Sequence, residues 1–266
     1  MARWDKLKSR GRVEDRRAVT AAGTISVTGI LLLMGINYLM GGNPLDVLSQ
    51  VDVSQVQREQ QTVKTDEFEG KDDYEVFVST VLGSNNDAWK KSLNNLGKDY
   101  VEPKLVLFRN RTNSACGGAI SMMGPHYCPL DQTIYLDETF FDELTNRLGA
   151  KGGDVAEAYV ISHEVGHHVQ NILGLVKGRK SNKESVKLEL QADCFAGLWA
   201  STLKDKNILE PNEISEAMDA AAAVGDDRIQ KRTTGHVNEE SWTHGSSKQR
   251  LEAFTLGYSG DLKRCL

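Results

Sequence analysis

The feature that most constrains this chain is a pair of histidines four residues apart, His163 and His167, in a stretch whose apolar residues (Val155, Tyr159, Val160, Ile172) recur at helical spacing. Residues i and i+4 share a helix face, so the two imidazoles point the same way. With the residues between them the run reads His163-Glu164-Val165-Gly166-His167. A chain of this composition produces H-E-x-x-H by chance about once in a hundred times. The apolar spacing puts the pair on a partly buried helix, where imidazoles need partners. Two neutral imidazoles suit a divalent cation, zinc above all, with a carboxylate as third ligand and a fourth position left to water. Glu164, on the same turn, is placed to take a proton from that water. His168 is turned about 100° from His167 and reads as a packing or surface residue.

The third ligand is sought downstream. Glu189-Leu190-Gln191-Ala192-Asp193 opens an apolar run through Cys194, Phe195, Ala196, Leu198 and Trp199. Glu189 and Asp193 are again i and i+4, and carboxylates entering a buried helix need partners. Glu189 is therefore assigned as the third ligand. Asp193, one turn on, is assigned as the acceptor of the outer N–H of an imidazole, His163 first, which fixes ring and tautomer.

Around this core the chain divides. From Ala18 to Met40 no residue is charged, and 23 residues at helical rise can cross a hydrocarbon core of about 30 Å. The segment is longer than a signal-peptide core and lacks a clear A-x-A site, so it reads as a retained transmembrane helix. The formal charge of −5 splits into +4 over residues 1–17, where seven basic residues stand, and −9 over the rest. The positive-inside rule then keeps residues 1–17 cytoplasmic and places everything after Met40 outside the cytoplasm. An acidic body without a basic stripe argues against a nucleic-acid partner.

Residues 41–71 read as a polar linker, and the folded domain is expected over 72–266. Its pattern predicts two helices (74–82 and 88–96) split by Gly83-Ser84-Asn85-Asn86-Asp87, then strands at 104–108 and 133–136 with an irregular segment between them. Helices follow from about 153 to 172, 185 to 203, 213 to 224 and 247 to 256. Helices, a small sheet, then helices make an α+β class.

His163 to Gln170 followed by Glu189 to Cys194 resembles the bacterial family of neutral zinc metallopeptidases, membrane-anchored proteins with a gluzincin-type core. Val13-Glu14-Asp15-Arg16-Arg17, Ala115-Cys116-Gly117-Gly118-Ala119, Gly124-Pro125 with Tyr127-Cys128-Pro129, and Thr243-His244-Gly245-Ser246-Ser247 with Gln249-Arg250 carry the likeness further. The resemblance implies one zinc per chain, a zincin-like peptidase fold and a location at the cell (inner) membrane with the domain facing the periplasm. A peptidase acts on a peptide or protein, but the resemblance names no particular substrate. It also implies that His244 hydrogen-bonds the developing oxyanion, with Arg250 holding that segment or touching substrate. From the residues alone the oxyanion donor could equally be His126, His236 or a tyrosine such as Tyr258.

Outside the cytoplasm disulfides are permitted. Cys116 and Cys128 would close a loop of about a dozen residues, stabilising it by roughly 2–4 kcal/mol, beside the strand that in gluzincin-like folds pairs with substrate. Cys194 and Cys265 would tie the Glu189 helix to the C-terminal tail; alternatively Cys194 is a small buried hydrophobe. Two readings compete with a peptidase: an inactive zinc-binding adaptor that holds peptides, and a non-peptidase zinc hydrolase. Glu164 speaks against the first, because a structural zinc site has no use for it.

Overall fold

The apolar runs at 104–108 and 133–137 become neighbouring central strands of one sheet. The computed structural model describes residues 2–17, 72–120, 124–176, 181–210 and 212–266, and these belong to a single compact unit drawn from both sides of residues 19–66. Its main sheet has the order β1-β2-β6-β5, with β1 Arg12–Asp15, β2 Lys104–Phe108, β6 Thr133–Asp137 and β5 His126–Cys128. β1, β2 and β6 run parallel, and β5 is antiparallel to β6. Leu105, Leu107, Ile134 and Leu136 enter the main helical core, whereas Val106, Phe108 and Tyr135 face a second cluster with Ala119 and Cys128. Burial on both faces is why these strands read as nearly continuous apolar runs. A two-stranded hairpin, β3 Arg111–Ser114 and β4 Gly117–Ile120, follows β2.

Seven α-helices are found among the described residues: α1 Asp73–Asn94, α2 Phe140–Asn146, α3 Asp154–Leu173, α4 Asn182–Asp205, α5 Ile214–Ala223, α6 Asp226–Thr233 and α7 Ser247–Tyr258. α3 is the hub, packing on α1, β5, α4 and α5. It stops at Gly174, whose left-handed φ of 67° suits glycine. α4 and α7 start with capping boxes, Ser181 with Glu184 and Ser246 with Gln249.

Three sequence expectations are corrected. The two helices split at residues 83–87 are one continuous helix, α1. Ser84 and Asn85 turn their polar groups back onto the Val81 carbonyl (2.8 and 3.0 Å), and Asn85 also receives the Ser162 hydroxyl from α3, so tertiary contacts override weak helix propensity. Two short helices, α2 and α6, fall where no helix was expected. Residues 1–17, set apart from a domain expected to begin at 72, supply the edge strand β1 and the buried Ala2 and Val13. Among the described residues no helix is long and apolar enough to cross a membrane; the expected transmembrane helix at 18–40 and linker at 41–71 lie outside them.

Candidate metal centre

His163 and His167 lie one turn apart on α3, and Glu189 comes from α4. His163 Nε2 is 3.1 Å from Glu189 Oε2, and His167 Nε2 is 3.5 Å from Glu189 Oε1. Ligand atoms at tetrahedral corners about 2.0–2.1 Å from zinc stand about 3.3 Å apart, so two nitrogens and a carboxylate so spaced fit that ion. The helices can approach this closely because Gly166, between the histidines, has no side chain: a Cβ there would lie 3.0 Å from the Ala192 Cα and oxygen.

Both rings have their outer nitrogens tied back. His163 Nδ1 donates to Asp193 Oδ1 (2.8 Å), and His167 Nδ1 donates to Gln170 Oε1 (2.9 Å). Each therefore turns Nε2 toward Glu189. Gln170 is itself fixed by donating to the Leu188 carbonyl and to Gln191. Asp193 is fully buried and accepts from Tyr159 Oη (2.6 Å), Arg250 Nε (2.8 Å) and Arg250 Nη2 (2.9 Å). Arg250 is 3% exposed; it secures Asp193 through both of these bonds and also lines the cleft beside the two histidines.

The charges are informative. Burial opposes charge on His163, but Asp193 and Glu189 outweigh burial and push the ring up to about 10. Against its own burial, Glu189 is held well below the usual carboxylate range by His167 and His163. Asp193 and Glu189 thus favour positive charge on or between these rings, and a dication between the Nε2 atoms and Glu189 would supply it.

Glu164 is buried at the edge of a cleft of about 570 Å³. His163, His167, Glu189, His126 and His244 also line it. His244 comes from the loop before α7 and is half exposed, with Nδ1 directed to Asp226 Oδ1 (3.2 Å). The other Asp226 oxygen accepts the backbone N–H groups of Thr243, His244 and Gly245 at 2.7–2.9 Å, so one carboxylate holds both ring and loop. His126 stacks on Tyr135. His168 is buried, its Nε2 donating to the Val101 carbonyl (2.6 Å) and its Nδ1 accepting from Tyr127 (2.9 Å). His236 and Tyr258 do not line the cleft. Both expected cysteine pairs are bonded, Cys116 to Cys128 and Cys194 to Cys265.

Sequence reasoning missed Gln170, Tyr159 and Asp226. The first two carried a signal: Gln170 is three residues after His167, and Tyr159 four before His163. Asp226 carried only an acidic pair after a glycine, which reads as an ordinary helix start.

Comparison with known proteins agrees with this geometry. The sequence profile of the family described as "Putative neutral zinc metallopeptidase" matches residues 2–266. The chain belongs to the neutral zinc metallopeptidase family. An Escherichia coli K12 relative, described as uncharacterized protein YpfJ, is 43% identical over 206 residues, covering 73% of this chain and 71% of that protein. An uncharacterized Mycobacterium tuberculosis H37Rv relative is 46% identical over 200 residues, covering 69% and 67%. No solved structure matches this member of the family.

Proposed function

We propose that this chain is a zinc-dependent peptidase that cleaves peptide bonds in proteins or peptides outside the cytoplasm. The observation that carries the reading is the pair of imidazoles whose outer nitrogens are tied back, so that both inner nitrogens face Glu189 beside Glu164 in an open cleft. Three protein ligands with an open fourth position are the catalytic, not the structural, pattern.

A zinc ion held by His163, His167 and Glu189 would polarise the scissile carbonyl and lower the pKa of a water in the open position. Glu164 takes the proton of the attacking water and passes it to the leaving amine. His244 donates through Nε2 to the carbonyl oxygen as negative charge grows there, with Asp226 fixing the ring from behind. Asp193, kept ionised by Arg250, holds His163 in its working tautomer. β5 is the terminal strand of the sheet and borders the cleft through His126 and Tyr127, so its outer edge can pair with an extended peptide. That edge favours a peptidase over a hydrolase of small molecules. The two disulfides support an oxidising compartment, and residues 18–40 are the proposed membrane segment.

The test is zinc stoichiometry together with cleavage of an unfolded protein, for the wild type, Glu189→Ala and Glu164→Gln. One zinc per chain, lost in Glu189→Ala but kept without cleavage in Glu164→Gln, is the expected result. Retained zinc in Glu189→Ala removes the third ligand, and zinc without cleavage in the wild type favours the adaptor.

A further inference from the structure

The N-terminal arm is built into the domain by contacts of every kind. β1 pairs with β2 in parallel from Arg12 opposite Lys104 to Asp15 opposite Leu107, and the Arg16 N–H donates to the Leu107 carbonyl at 2.7 Å. Upstream, the Gly11 N–H donates to the Ser79 carbonyl while the Ser79 hydroxyl donates to the Gly11 carbonyl, both at 2.9 Å. Gly11 sits so close to α1 that a Cβ would lie 2.6 Å from that of Leu82 and 2.7 Å from the Ser79 oxygen. The Ala2 N–H and the Trp4 indole both donate to Asp154, the first residue of the histidine helix α3.

Four of the arm's seven cations are also paired. Arg3 pairs with Glu210, Arg10 with Asp87 and Arg16 with Glu14. Arg17, only 8% exposed, bridges Asp15, Glu138 and Asp72. Four of the seven cations that argued for a cytoplasmic leader thus neutralise carboxylates, three of them pairing with carboxylates beyond the arm. The Arg17–Asp72 pair, at 2.6 Å, ties the arm to the N-cap residue of α1.

A strand hydrogen-bonded into a sheet cannot stand across a bilayer of about 30 Å from that sheet. We infer that residues 2–17 are an integral part of the peptidase domain and share its compartment, so that whatever membrane the chain meets between residues 18 and 71 is entered and left on one side. This replaces the single-pass arrangement expected from charge, with the N-terminus inside and the domain outside. It does not rest on the proposed activity.

The test uses the full chain in two ways. In cells, epitope tags at the two ends are exposed to protease before and after the membrane is permeabilised. Equal accessibility of both tags is expected; opposite accessibility, or loss of the N-terminal tag from the mature chain, overturns the inference. In the second, Arg12→Cys with Lys104→Cys is made in a chain carrying a protease site within residues 41–71. After cleavage, on a denaturing non-reducing gel, the N-terminal fragment is expected to stay attached until reductant is added, whereas it runs free when Arg12→Cys is combined with Lys98→Cys. Release of the fragment from the first pair before reduction overturns the strand assignment, and with it the shared compartment.

Discussion

At the scale of single residues, the site is a set of orientations imposed from behind. Asp226 makes four hydrogen bonds to one loop and to the His244 ring. Asp226→Asn keeps the shape but places a donor where two acceptor oxygens are needed. It should lower kcat about tenfold or more while leaving zinc content and KM nearly unchanged, because in the proposed mechanism the loop meets the oxyanion and not the metal ligands. Steady-state kinetics with metal analysis checks this. A second residue sets a pH response. Glu157 on α3 is pushed up to about 7 by burial and by Asp154. Its folded pKa lies above its unfolded value, so the folded state binds the proton more tightly and stability falls as pH rises from about 4.5 to 7. Glu157→Gln should therefore be more stable than wild type above pH 7, by about 1 kcal/mol after allowing for solvent screening, and no more stable below pH 4.5. Urea unfolding at pH 4.5 and pH 8 separates the two.

At the scale of elements, the decisive events are close helix crossings. Gly166 lets α3 meet α4 at Ala192, and Gly197 and Gly257 let α4 meet α7: a Cβ on Gly257 would lie 1.8 Å from the Cys194 oxygen. These crossings bring Glu189 and Asp193 to the histidines and Arg250 to Asp193. Gly166→Ala asks its neighbours to give by a few tenths of an ångström and should retain zinc with weakened affinity. Gly166→Val should lose it, since a branched side chain forces the helices apart and the ligand set depends on their separation. Chelator competition measures both variants. The helices α3, α4, α5 and α7 were legible in the sequence because their apolar periodicity and caps are local. The break expected at residues 83–87 was not real, since its polar side chains are satisfied by Val81, Ser162 and Trp199, partners far away in sequence for the last two.

At the scale of the whole molecule, the Cys194–Cys265 bond closes a loop of 71 residues around α5, α6 and the His244 loop. Replacing both cysteines by alanine should cost about 2–5 kcal/mol of stability, read as a lower denaturation midpoint. The sequence by itself determined the α+β class, the i, i+4 spacing of the histidines and of Glu189 with Asp193, and the place of Glu164 between the histidines. Each of these follows from helical period, from composition or from motif, which act over a few residues. Only the tertiary structure decided that Arg250 secures Asp193, that Gln170 and Asp226 orient two histidines, and that Arg12–Asp15 completes the sheet. Those facts depend on which distant groups share a buried site. There, each donor or carboxylate must find its partner in space, whatever its distance along the chain.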